Sequence, residues 1–271
     1  MKLCFSTLGC PGWSWPDIVV AAKDIGMDGI EVRCIGNQLY APQCAEFKPD
    51  AIPATLRVLD QLGLTIPCLD SNATIAIQML TQDAMQESRD YIDLAERIGT
   101  KYVRVMCVGV PEPVECSFET CLANYSELCS YGESKGVTPL LETNGEFAKS
   151  ETIMKLMDMV PSDNKGILWD VHHPFRFYGE SPEYTYGIIK PLLRHVHIKD
   201  SVVKDGKIVY RMMGKGDVPV KETMLLLMDN GYDSFVSLEW VKKWQPDLED
   251  AGVVFPNFAN FAHKVIASYN N

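Results

Sequence analysis

Apolar positions in this chain change their spacing on a regular schedule. Short runs rich in Val, Ile, Leu and Cys are predicted as strands at 3–8, 29–34, 65–72, 102–108, 138–144, 166–171, 195–200 and 235–241. Between them apolar residues recur at helical intervals over 14–25, 51–62, 83–98, 117–135, Ser150–Met159, 182–192, 218–230 and within 248–268. In the third of these helices Met85, Tyr91, Leu94, Ala95 and Ile98 share the apolar face. Asp17 lies near the start of the first helix, Ser117 is placed to cap the fourth, and Gly26, Gly63 and Gly99 stop helices one, two and three.

Strict alternation of strand and helix implies a parallel sheet, because each crossover helix returns the chain to the same edge. Eight such units favour a closed (β/α)8 TIM barrel over the alternative, an open doubly wound sheet. Neither GxGxxG nor GxxxxGK[ST] follows any strand, which weakens the nucleotide-binding alternative. No Pro/Gly/Ser-rich linker interrupts the period, so residues 1–271 are read as a single α/β domain, a length common for such barrels.

Composition narrows the partners. The net charge is −11, which repels phosphate backbones and anionic membranes, so no nucleic acid or membrane partner is expected. Nine scattered cysteines without a CxxC pair read as reduced thiols. The N-terminus lacks the long apolar region of a signal peptide, and no stretch approaches the roughly 20 apolar residues of a membrane span. A cytoplasmic enzyme is the expectation, possible as a homo-oligomer.

The segment His195-Val-His-Ile-Lys-Asp200 brings in chemistry. On a strand His195, His197 and Lys199 face one way while Val196 and Ile198 face the other. Glu142, Asp170 and Glu239 stand near the ends of strands five, six and eight, so four candidate ligands come from four successive strands. Their separations along the chain are 28, 27 and 42 residues. That end of the strands is where barrels carry their chemistry, and strands about 4.8 Å apart allow convergence on one ion. Three carboxylates and one imidazole suit one divalent ion, manganese first, with magnesium, cobalt or zinc as alternatives, rather than a thiolate metal.

These residues lie in LETN at 141–144, WDVHH at 169–173, HVHIKD at 195–200, RMMGKG at 211–216 and SLEW at 237–240, and through them the chain resembles the xylose-isomerase-like barrels. The resemblance covers nearly the whole chain and implies a metal-dependent sugar isomerase or 3-epimerase. In the ketose 3-epimerases of that superfamily a Glu, an Asp, a His and a Glu hold the metal, roles that fall on Glu142, Asp170, His197 and Glu239. The resemblance further implies substrate contacts at His173 and Arg211. Two departures are visible: the connection from His197 to Arg211 is longer than in the epimerases, and Thr-Asn-Gly-Glu-Phe follows Glu142, leaving Glu146 as a candidate contact. The His-x-Lys-Asp form at 197–200 resembles inositol-catabolism members instead.

Other residues have two readings each. Lys199 is placed either to neutralise a substrate oxyanion or phosphate or to pair with Asp200 at the rim. Arg104 is either a partner of Glu31 or a substrate contact. His195 and His172 are read as interior or backbone-bonded imidazoles and His263 as a surface residue. Trp13, Trp15, Trp169, Trp240 and Phe175 are expected near the mouth, as sugar-stacking faces or as core, and Met212 and Met213 hint at an apolar lid.

Mechanistically, Glu142 and Glu239 are expected as paired acid/bases that remove and return a proton beside a carbonyl, through an enediolate. Return to the same carbon gives epimerisation, return to its neighbour gives isomerisation, and loss of a β-hydroxyl gives dehydration of a keto sugar or keto-inositol. The substrate is expected to be a small sugar or a sugar derivative such as an acid or phosphate. An apurinic-site endonuclease of the same barrel type would need more histidines than five and an attraction to DNA, and a non-catalytic sugar-binding protein would not need the four ligands.

Overall fold

In the computed structural model, which describes residues 1–269, eight parallel strands surround one axis. They are β1 (Lys2–Ser6), β2 (Gly29–Glu31), β3 (Cys68–Thr74), β4 (Tyr102–Met106), β5 (Thr138–Glu142), β6 (Gly166–Asp170), β7 (Leu193–Ile198) and, after a hairpin of β8 (Asp200–Lys204) and β9 (Lys207–Arg211), β10 (Phe235–Leu238). Seven neighbouring pairs form regular ladders in the order β2-β1-β10-β7-β6-β5-β4-β3. The ring closes between its outer members through bonds from the Ile30 amide to the Thr65 carbonyl and from the Asp70 amide to the Val32 carbonyl, 2.9 Å each. A closed ring leaves no sheet edge to satisfy.

Helices cover the outside: α1 (Trp15–Asp24), α2 (Ile52–Leu62), α3 (Thr81–Ile98), α4 (Phe118–Glu133), α5 (Ser150–Met159), α6 (His172–Tyr178), α7 (Pro182–Ile189), α8 (Val220–Asp229) and α9 (Ala251–Tyr269). Each starts or stops for a local reason. At α1 the Ser14 hydroxyl accepts from the Asp17 amide while the Asp17 carboxylate accepts from the Ser14 amide, a reciprocal box that satisfies two otherwise free donors. At α3 the chain stops at Gly99, whose φ of 74° a side chain would disfavour. Among the described residues no helix is long and apolar enough to cross a membrane.

Alternation along the strands sorts side chains between two cores. Outward residues such as Leu3, Val103, Leu141, Ile167 and Val196 pack under the helices. Inward residues form layers: Cys68, Leu140 and Leu168, with Tyr102 against them, make a small apolar floor. Two residues further along the same strands stand Asp70, Glu142, Asp170 and Arg104, all buried. Register levels the upper layer, since Asp170 pairs across from His197, and His197 from Ser237.

The structure refines the sequence expectation in several places. The connection after β7 is a regular antiparallel hairpin, turned at Asp205 and Gly206 with φ of 51° and 73°. Two positive φ values in a two-residue turn match the right-handed twist of paired strands. Residues 172–178, left without an element in the sequence pattern, form α6, a helix too short for periodicity to announce. Trp169 and Trp240 are each 1% exposed and lie in the layer between barrel and helices, not at the mouth. Trp169 packs 6.3 Å from the Tyr186 ring, and the Trp240 indole N–H donates to the Glu249 carbonyl. Trp15 packs edge-on against Phe47 and Trp13 against Phe255. Met213 is buried core at the base of the hairpin rather than a lid.

Candidate active site and metal centre

Glu142 closes β5, Asp170 closes β6, His197 lies within β7 and Glu239 follows β10, and all four are buried at the C-terminal end of the ring. One ligand atom from each falls within 4.8 Å of the others. Among the described residues three further buried groups meet the same distance test: Cys4 with Glu31 and His195, Asp170 with His172 and His173, and Glu31 with Asp70 and His197. Chemistry separates them. Burial raises the Cys4 thiol well above its usual range, His172 Nε2 is already bonded to the Ser201 hydroxyl at 2.9 Å, and one Glu31 oxygen is shared by two imidazoles.

His197 shows how the quartet is prepared. Its Nε2 donates to Glu31 Oε2 at 2.9 Å, which assigns the proton to that nitrogen. Its Nδ1 is buried without a hydrogen-bond partner, 3.7 Å from Glu239 Oε1 and 4.0 Å from Glu142 Oε1. With its Nδ1 proton displaced, the imidazole offers a lone pair beside two carboxylate oxygens, and acceptors alone converge favourably on a cation. The residues therefore fit a divalent ion.

The same crowding is visible in the titration of these groups. Burial opposes the imidazolium of His197, but Glu31 and Glu239 outweigh it and push the pKa up to about 10. Burial opposes the Glu31 carboxylate too, yet His197 and His195 hold it well below the usual range. His195, whose Nε2 lies 2.5 Å from the same Glu31 oxygen, is lowered by burial. Asp70 is raised by burial and by Glu31.

Two buried cations face the acids. Arg104 Nη1 donates to Glu142 Oε2 at 2.9 Å and stands 3.6 Å from Glu239 Oε1, while its Nη2 donates to the Ser71 carbonyl at 2.8 Å. It is thus a partner of the proposed acid/bases, and Glu31 is taken by the histidines instead. Lys199 is 1% exposed, and its ammonium donates to both Asp170 and Glu239. Burial pulls Glu239 upward, but Lys199, His197 and Arg104 hold it well below the usual carboxylate range. The rim pairing of Lys199 with Asp200 is corrected: Asp200 accepts from the amides of Gly214, Gly216 and Val218 at 2.9, 2.7 and 3.3 Å. Strand alternation explains the split, since Lys199 continues the inward face of His197 and Asp200 turns outward.

Above this layer a cavity of about 260 Å³ opens, walled by Arg33, Asn72, Asn144, His173, Tyr210 and Trp244 together with Arg104, Glu142, Lys199 and Glu239. That is slightly below the roughly 300–1,000 Å³ usual for small-molecule sites. His173 is in the wall, with Nδ1 bonded to the Thr143 carbonyl at 2.8 Å and Nε2 3.5 Å from Asp170 Oδ2. Glu146 is exposed and lines a separate surface depression with Glu115 and Phe118. Arg211 sits opposite Asp200 in the hairpin and Tyr210, not Arg211, reaches the wall. The longer connection, folded as a hairpin, carries the arginine out of line. Sequence reading missed the Glu31 bridge, Asp70, Tyr210, Trp244 and the place of Arg33; the one available signal was Glu31-x-Arg33 alternating on a single strand face.

The geometry has counterparts. A family model described as the xylose isomerase-like TIM barrel matches residues 19–253. A curated relative, the fructoselysine 3-epimerase of Escherichia coli O157:H7, is 26% identical over 239 residues, 81% of this chain and 83% of its own. Among solved structures, the probable 3-DHS dehydratase AsbF from Bacillus anthracis superposes with a TM-score of 0.76 at 19% identity, covering 98% of this chain and 99% of that one. The IOLI protein, solved with a binding zinc atom, gives 0.77 at 17% identity over 99% and 98% of the two chains. With most of its length matched by the family model, the chain belongs to the xylose isomerase-like TIM barrel family.

Proposed function

We propose that the chain is a divalent-metal-dependent sugar epimerase, working at the carbon beside the carbonyl of a ketose. The observation that carries this reading is the pair Glu142 and Glu239. They come from strands separated in the ring by β6 and β7, both line the cavity, and each has an oxygen within 4.0 Å of the same unpartnered His197 nitrogen. The fructoselysine 3-epimerase similarity supports the same class of reaction.

Glu142, Asp170, His197 and Glu239 would hold the ion, and an oxygen-rich set with one imidazole suits manganese, magnesium, cobalt or zinc. When bound, such an ion supplies positive charge opposite the oxygen that becomes anionic as the proton leaves. The remaining work belongs to the chain. One glutamate accepts the proton from the carbon beside the carbonyl and the other delivers a proton to the opposite face of that carbon, which inverts the centre. Arg104 touches both carboxylates, holding them apart and oriented. His173, fixed by the Thr143 carbonyl, offers Nε2 toward the cavity for a substrate hydroxyl.

The test is isotope wash-in. Metal-replete protein turning over a ketose in deuterated water is expected to place deuterium on the inverted carbon. Glu142→Gln and Glu239→Gln, each checked for metal content, are expected to lose about 10²–10⁴ in turnover. Full turnover by either metal-loaded variant removes that glutamate from the proton path. Release of water with formation of an unsaturated product would replace epimerisation by dehydration.

A further inference from the structure

Every cation in the cavity wall except one is matched by an acid. Arg104 has Glu142, Glu239 and, at 3.9 Å, Asp70, and Lys199 has Asp170 and Glu239. Arg33 has no such partner among the described residues. Its side chain is almost entirely buried, its Nη2 donates to the neutral amide of Asn72, and its Nη1 has no hydrogen-bond partner at all. The Trp244 ring stacks against it with the guanidinium carbon 5.7 Å from the ring centroid. Buried charges are ordinarily paired, because an isolated one forfeits its hydration without recompense. Burial, and after it the like charge of Arg104, lowers the Arg33 pKa, and Tyr91 and Asp70 oppose that fall only in part.

Position says what the missing partner belongs to. Arg33 stands two residues beyond Glu31 on the inward face of the β2 segment, so it lies above the Glu31 layer, in the cavity wall. In the ring order β2 stands opposite β6, which carries Asp170. A molecule whose reacting carbon lies between Glu142 of β5 and Glu239 after β10, on the side of the ring formed by β6 and β7, would extend its other end across the mouth toward Arg33, Asn72 and Trp244.

Resting on the epimerase reading, we infer that the substrate is a ketose bearing an anionic group, a phosphate or a carboxylate, at the end remote from the reacting carbons, and that Arg33 pairs with it. The guanidinium presents a planar fork suited to either oxyanion. Asn72 holds one arm of that fork, and Trp244 fixes its plane while shielding the pair from water.

The experiment is a calorimetric titration of metal-loaded protein with three unreactive polyols: sorbitol, sorbitol 6-phosphate and gluconate. At least tenfold tighter binding of one anionic polyol than of sorbitol is expected, and which of the two leads tells phosphate from carboxylate. In Arg33→Gln the ratio is expected to fall at least tenfold. Should Arg33→Gln fail to fold by circular dichroism, Arg33→Lys carries the test, with a reduced but surviving preference expected. Equal binding of all three polyols by wild type overturns the inference, as does an anion preference unchanged in Arg33→Gln or Arg33→Lys. No turnover on any ketose, with Arg33-dependent anion binding intact, sinks the epimerase reading and leaves the anion site standing. Turnover of a neutral ketose without anion preference does the reverse.

Discussion

The two halves of the barrel divide the labour unequally. Strands β5, β6, β7 and β10 carry Glu142, Asp170, His197 and Glu239, all with oxygen or nitrogen lone pairs aimed at one another. Strands β2, β3 and β4 carry Glu31, Asp70 and Arg104; Glu31 and Arg104 contact the first set directly, and Asp70 stands 3.9 Å from Arg104. The lesson is that such a cluster is stable only when its surroundings supply the complement of each member, an acceptor for the imidazole and cationic donors for the carboxylates. Glu31 reaches across the ring to two imidazoles, and Arg104 reaches to two glutamates.

The largest effect is expected from the acceptor half. Asp170→Ala should lose stoichiometric divalent metal and about 10³-fold or more in turnover, because it removes both a ligand and the charge stabilisation that ligand supports. Metal analysis beside a rate assay checks it. Wild-type metal content in Asp170→Ala would break the division at its root.

The second effect tests the facing wall. Glu31→Gln keeps the shape but removes the charge that fixes the His197 proton on Nε2, and metal affinity is expected to fall about 10–100-fold. Competition with a fluorescent chelator measures it. An unchanged affinity would mean that the acceptors need no oriented support.

Asp70→Asn gives the smallest effect and sharpens the contrast within that wall. Asp70 touches none of the four candidate ligands, and burial with Glu31 raises its carboxyl toward the form asparagine resembles, so metal affinity is expected to move by less than about threefold. The sign for stability follows from proton binding. A carboxyl raised on folding holds its proton longer in the native state than in the unfolded chain, so native stability falls as pH rises above the ordinary aspartate range. Asp70→Asn should flatten that fall in urea melts taken at increasing pH. A loss of metal as large as that of Glu31→Gln would make Asp70 an active support.

What was legible in the sequence follows the same division. The acceptor half could be read because its residues repeat at one strand-helix unit per step, and periodicity along the chain is what sequence shows directly. Glu31 and His195 are 164 positions apart in the chain, and only ring closure brings them together. The Glu31-x-Arg33 spacing sets Arg33 on the face of Glu31, but whether a partner waits for it depends on the tertiary surroundings. The hairpin at 200–211 carried its own signal, an Asp-Gly turn between Val-rich flanks, which the expectation of strand and helix alternation overrode. For Trp169 and Trp240 the structure selects the core reading of the two left open, because sequence gives a strand position but not which of two buried faces a large ring fills.

The Asp200 carboxylate has a practical consequence for anyone redesigning this protein. Its oxygens hold the amides of Gly214, Gly216 and Val218, and a Cβ at Gly216 would lie 2.0 Å from Asp200 Oδ1, so the base of the hairpin is clamped on both sides. The tip at residues 204–207 is exposed and outside that clamp. Tags, surface charges or a few inserted residues belong there, where the scaffold can absorb them silently, whereas a library aimed at altered substrate choice belongs at 241–245, beside Trp244.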